Sequence, residues 1–124
     1  MSTSSGVRCP ARGRQRSRHV ARGLKENLSA IPEYAHVKKV ALFNEREEIF
    51  HTIEAKPGKL ASVRIYAEMS RKFGGAVDVE AAMWGLEVYD EFVAEAREVP
   101  SSHPNIDILL GVLEGEGPYK ITVS

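Results

Sequence analysis

The basic residues of this chain are not spread along it. Arg8, Arg12, Arg14, Arg16, Arg18, Arg22 and Lys25 fall within residues 1–25, which hold no acid. The rest of the chain carries ten bases and 17 acids, so the net charge of zero is a cancellation between a basic arm and an acidic body. The arm contains Pro10, Gly13, Gly23 and several serines, and few apolar side chains. It has too little apolar surface to order itself by burial. The expected organisation is a disordered arm, 1–23, ahead of a single domain, 24–124.

Four readings of the arm compete. It is an extension without a role, or upstream sequence read from an early start. It is a transit peptide, which its Arg- and Ser-rich, acid-poor composition fits and its proline and glycines oppose. It is a nucleic-acid-binding tail acting by phosphate neutralisation, although it has no aromatic residue to stack on a base. Or it folds back onto the acidic body. No apolar core of a secretory signal follows the arginines. Cys9, the single cysteine, lies in this arm and makes no internal disulfide and no zinc cluster. A reducing, cytoplasmic compartment is expected.

Composition sets the remaining bounds. Hydrophobic residues make up 43% and charged residues 27%, as in an ordinary globular chain. Collagen, wholesale disorder and a disulfide scaffold are excluded. The longest apolar stretch, Ile108 to Leu113, is interrupted by Gly111. A spanning helix needs roughly 20 residues, so no membrane association is expected.

Apolar periodicity divides the body. Leu24, Leu28 and Ile31 share a helical spacing that Pro32 ends. Residues 36–43 read as a strand, and 48–55 alternate with Ile49, His51 and Ile53 on one face, so the two form a hairpin. A helix follows over 59–73, and Gly74-Gly75 stops it. Its narrow polar stripe (Arg64, Glu68, Arg71, Lys72) can pair internally. Asp78 suits the N-cap of a long helix over 79–98, with Val79, Ala82, Leu86, Tyr89, Val93 and Ala96 as its core face. Pro104 starts a helix over 104–114. Residues 118–124 alternate as a last strand, open to pairing with either hairpin strand or to exposure as an edge. The order α-β-β-α-α-α-β predicts an α+β fold, a small antiparallel three-stranded sheet with helices packed on one face.

No dinucleotide-binding, P-loop, zinc-protease or nucleophile-elbow motif is present. Pro57-Gly58-Lys59 precedes a helix, where N–H groups and a lysine can meet a phosphate; an ordinary turn and helix start explain it equally. His51, His103 and Asp107 form the best enzymatic constellation. His103 and Asp107 are i,i+4 on one side of a helix, where an Asp can orient an imidazole or join a His/His/Asp metal set. His51 joins them only if the fold brings strand and helix together. The competing reading makes Asp107 a partner of the positive helix end and the histidines ordinary hydrogen-bonded residues. No metal and no cofactor is expected.

The long helix carries a sharper feature. Glu80, Glu87, Glu91, Glu95 and Glu98 lie opposite its core face, with Trp84 among them. Like charges at i,i+4 cost a few tenths of a kcal/mol each. Trp84, Glu87, Glu91 and Glu95 therefore read as a binding face for a basic partner, by stacking and ion pairing with Arg. The arm is one candidate ligand. Alternatively helix 24–31 covers Trp84 and the glutamates are a solvated face.

The strings E-N-L-S-A-I-P (26–32), P-G-K-L-A-S-V-R-I-Y (57–66), F-G-G (73–75) and H-P-N-I-D-I-L-L (103–110) resemble a family of small bacterial proteins, domain-of-unknown-function family 2322. The resemblance covers residues 24–124 and excludes the arm. It implies a bacterial cytoplasmic protein of about 100 residues and supplies no activity, cofactor or catalytic residue. The function expected is a small non-enzymatic protein-interaction module, with a protein partner or a homodimer. A metal-dependent or hydrolytic enzyme on His51, His103 and Asp107 is the alternative, and nucleic-acid binding through residues 1–23 is the second.

Overall fold

A computed structural model of the chain describes residues 23–124. The readings of the arm and of Cys9 lie outside these residues. The elements run α1 (Gly23–Leu28), β1 (Lys39–Phe43), β2 (Ile49–Glu54), α2 (Leu60–Lys72), β3 (Ala76–Val77), α3 (Val79–Tyr89), α4 (Glu91–Glu98), α5 (Pro104–Leu113) and β4 (Tyr119–Val123). The fold is α+β. No helix among the described residues is long and apolar enough to cross a membrane.

β1 and β2 form the expected hairpin. Asn44 builds its turn, its side-chain oxygen accepting the N–H groups of Arg46 and Glu48. The sheet has four strands, not three, in the order β2-β1-β4-β3, and every pairing is antiparallel. The missed strand is β3, two residues long and too short to show an alternation. It exists because Ala76 and Val77 pair with Lys120 and Tyr119. β4 is consequently an interior strand, and β2 takes the long free edge.

Val40, Leu42, Ile53, Val77 and Ile121 point into the core. Lys39, Thr52, Glu54, Lys120 and Thr122 are exposed on the other face. The alternation is not strict, since Ala41, on the face of Thr52 and Thr122, is also buried. A bulge between Leu42 and Phe43 shifts the start of β2, and Phe50 meets the Tyr119 ring with centroids 4.5 Å apart. α2 lies against all four strands, α3 packs on α2 and β3, and α4 and α5 pack on α3 and on each other. Tyr66, Ile65 and Met69 of α2 are fully buried. α3 approaches α2 and α5 closely at Gly85, where a β-carbon would stand 2.8 Å from both Leu109 Cδ1 and Met69 Cε.

The helix expected over 79–98 is two helices. Asp90 has φ of 50° and ψ of −112°, which ends α3 and starts α4. A positive φ costs a non-glycine residue about 1 kcal/mol or more, and this ψ lies outside the left-handed helical region that Asp tolerates. The compensating contact is long-range, since Asp90 Oδ2 accepts the Gly23 N–H at 3.0 Å. The break also corrects the core face. Val79 is exposed at the start of α3, while Ala81, Ala82, Val88 and Tyr89 are buried.

The six-residue α1 is held at both ends by distant side chains. Asp90 and Glu91 accept the N–H groups of Gly23 and Leu24. Arg64 donates to the carbonyls of Leu28 and Ile31 at 2.7 and 2.6 Å, and to that of Pro32. A helix this short has little stability of its own, so these contacts supply its orphan-group partners.

Candidate functional site

Two helix starts face each other across a cleft. The first follows Pro57-Gly58-Lys59, where Gly58 has φ of 88°, a conformation that favours glycine. Lys59 opens α2 with no side-chain cap. The second is the start of α5, set by Pro104 after His103. The Tyr66 hydroxyl, rising from α2, donates to the Asn105 carbonyl and ties the two together.

The cleft has a volume of about 280 Å³. Leu24, Phe92 and Ile106 are apolar members of its lining. Lys59, Ser62, Tyr89, His103 and Asn105 are polar members of its lining. Ser62 Oγ and the Tyr89 hydroxyl are 2.7 Å apart, and either can be the donor. Burial pushes the Tyr89 phenol above its ordinary pKa, so it stays protonated. Two hydroxyls sharing one bond leave a second proton free to donate.

A second cleft, of about 250 Å³, adjoins the first and shares Lys59, Pro104 and Asn105 with it. Its other wall is β2, from His51 to Glu54. His51 Nε2 lies 2.6 Å from Asn105 Oδ1. The fold therefore does bring strand and helix together, but at Asn105.

His51, His103 and Asp107 have three different partners. His103 Nε2 lies 2.9 Å from Glu95 Oε1. Asp107, in the first turn of α5, accepts the Ser101 N–H of the preceding loop. Among the described residues no group of three or more His, Cys, Asp or Glu is placed to hold a metal ion.

The acidic face is likewise shared out. Trp84 is half-buried, its ring 6.2 Å from Phe73 and 5.8 Å from Lys72 Nζ. It stands in a cleft beside Asn27, Ala30 and Ile31, near α1. Glu91 takes the Leu24 N–H and Glu95 takes His103, while Glu87 is exposed. The break at Asp90 divides the stripe between two helices.

The residues that the sequence reading left out are Ser62, Tyr89 and Asn105. Tyr89 was legible only as a core position of a helix, and its hydroxyl partner Ser62 lies 27 residues away. No local pattern marked Asn105. Lys59 was legible from the Pro-Gly-Lys turn.

No curated protein and no solved structure matches the chain. One family model does match, over residues 24–123, and its description is "Uncharacterized protein conserved in bacteria (DUF2322)". The match spans α1's second residue to the end of β4, the whole of the sheet and both clefts, and the chain belongs to that bacterial family.

Proposed function

We propose that this chain is a small non-enzymatic protein-interaction module of the bacterial cytoplasm, and that its contact surface is the outer edge of β2. The observation that carries this reading is the state of that edge. The Ala55 N–H donates to the Lys38 carbonyl, so by alternation residues 53 and 51 also face β1. Thr52 then directs its N–H and carbonyl outward, and no backbone partner takes them or the Glu54 N–H among the described residues; the Glu54 carbonyl accepts the Lys56 N–H at 2.9 Å and closes that end of the edge. Ile49 and Phe50, at the start of the strand, are 58% and 41% exposed. An unpaired edge with apolar side chains beside it favours strand addition.

The partner we assign to it is a second copy of the chain. Antiparallel pairing centred on Thr52 sets Phe50 opposite Glu54 and brings Glu48 towards Lys56 of the other copy, a match of opposite charges. Light scattering on the full chain tests this. A dimer is expected, and Ile49→Lys or Thr52→Pro is expected to give a monomer with an unchanged circular dichroism spectrum. A wild-type chain that stays monomeric at both low and moderate salt sinks the reading.

The face at Trp84, Glu87, Glu91 and Glu95 is a weaker candidate for a basic partner, because Lys72, Leu24 and His103 already occupy much of it. The enzymatic alternative on His51, His103 and Asp107 draws less support for the same reason. Nucleic-acid binding would belong to the arginines of residues 8–22 and would weaken steeply with salt.

A further inference from the structure

We infer that the cleft between the starts of α2 and α5 binds a small carboxylate with an apolar body. This goes beyond the strand-edge reading and does not depend on it. The first observation is charge. The described body is rich in acids, yet no Asp or Glu lines this cleft. Glu91 and Glu95 flank it, and each is engaged, by the Leu24 N–H and by His103.

The second observation is the set of donors. No ion pair takes the Lys59 ammonium among the described residues. Asn105 spends its side-chain oxygen on His51, and no hydrogen bond takes its amide nitrogen among the described residues. The Ser62–Tyr89 pair keeps one spare proton, as described above. An ammonium, an amide N–H and a hydroxyl lining one cleft suit a carboxylate, whose two oxygens accept several bonds.

The third observation is the apolar part of the lining. Leu24, Phe92 and Ile106 are among the cleft's lining residues. Pockets for drug-sized ligands run from roughly 300 to 1,000 Å³. A cleft of about 280 Å³ therefore takes a smaller body, the size of one ring or a short aliphatic chain. Asn105 also joins this cleft to β2, through His51.

The test is an amide-resonance titration of the full chain with benzoate, benzamide, benzylamine and inorganic phosphate. Benzoate is expected to bind saturably and to shift Ser62, Ser102 and Asn105. Neutral benzamide is expected to bind about tenfold more weakly, the worth of one charge-assisted hydrogen bond. Lys59→Met, at an exposed position, is expected to weaken benzoate by about the same factor, and Ser62→Ala to weaken it less. Saturable binding of benzoate by neither variant nor wild type, or equal binding of benzamide, overturns the inference. So does preference for benzylamine, which would make the site cationic. Phosphate binding without benzoate binding overturns the apolar body.

Discussion

The Tyr34 hydroxyl donates to Glu68 Oε1 at 2.6 Å and joins the loop after α1 to the middle of α2. Arg71 closes on the same carboxylate with two bonds, Nε to Oε1 at 3.0 Å and Nη2 to Oε2 at 2.6 Å. Glu68 is the buried charged residue of the described core, 6% exposed. Burial alone would favour its neutral form. Hydrogen bonding by Arg71 outweighs that cost and, with Tyr34, holds its carboxyl below the usual range.

Removing the hydroxyl leaves that carboxylate short of one donor. Tyr34→Phe is expected to lower stability by about 1 kcal/mol, the usual net worth of such a bond. The shift of the urea midpoint at neutral pH, at constant slope, measures it.

The same carboxylate makes stability acid-sensitive. Its folded pKa lies below its unfolded one. The stability it adds is therefore complete above the ordinary carboxylate range and is lost as pH falls through that range to the folded value. Glu68→Gln should flatten this part of the acid-unfolding curve. Urea titrations of both proteins from neutral pH down to about pH 3 compare the slopes. Parallel curves would remove Glu68 as the cause.

Arg64 acts on backbone rather than on a carboxylate. Its bonds to the Leu28 and Ile31 carbonyls fasten the end of α1. Arg64→Met is expected to cost about 1–3 kcal/mol and to speed amide exchange in α1 and the following turn, ahead of global unfolding. Arg64→Lys should rescue only part, since an ammonium lacks the planar fork. Hydrogen exchange at Ser29 to Ile31 reads the local effect.

Two glycines separate tight packing from mere proximity. At Gly85 the blocking atoms belong to Leu109 and Met69, both fully buried. Gly85→Val is expected to destabilise by about 1–3 kcal/mol through overpacking. At Gly111 a β-carbon would meet Glu116 Oε1 at 2.6 Å, but Glu116 is exposed and can swing away. Gly111→Ala is expected to be neutral or slightly stabilising, because alanine favours helix. Thermal melts of the two variants distinguish the cases.

Much of this architecture is legible in the residue pattern. The helix expected over 59–73 is α2, Leu60–Lys72, and the one over 104–114 is α5, Pro104–Leu113. Both have strong apolar spacing and glycine or proline at their ends. The i,i+3 pairing of Glu68 with Arg71 is also there. Lys59 and His103 were each legible as polar residues at helix starts. That they line one cleft was not, because nothing local relates residue 59 to residue 103.

The sequence by itself determined the helices, the hairpin and the separation of a basic arm from an acidic body. Those follow from periodicity, turn residues and charge, all of which act over a few neighbouring positions. Only the tertiary structure decided that β4 lies inside the sheet, that β2 holds its long free edge, and that Asp90 divides a helix. It also decided which acids of that face are engaged. The Asp90 bond to Gly23 spans 67 residues of chain. Such a pairing is selected by the energy of the whole packed molecule, where a buried or orphaned polar group must find a partner wherever the fold puts one.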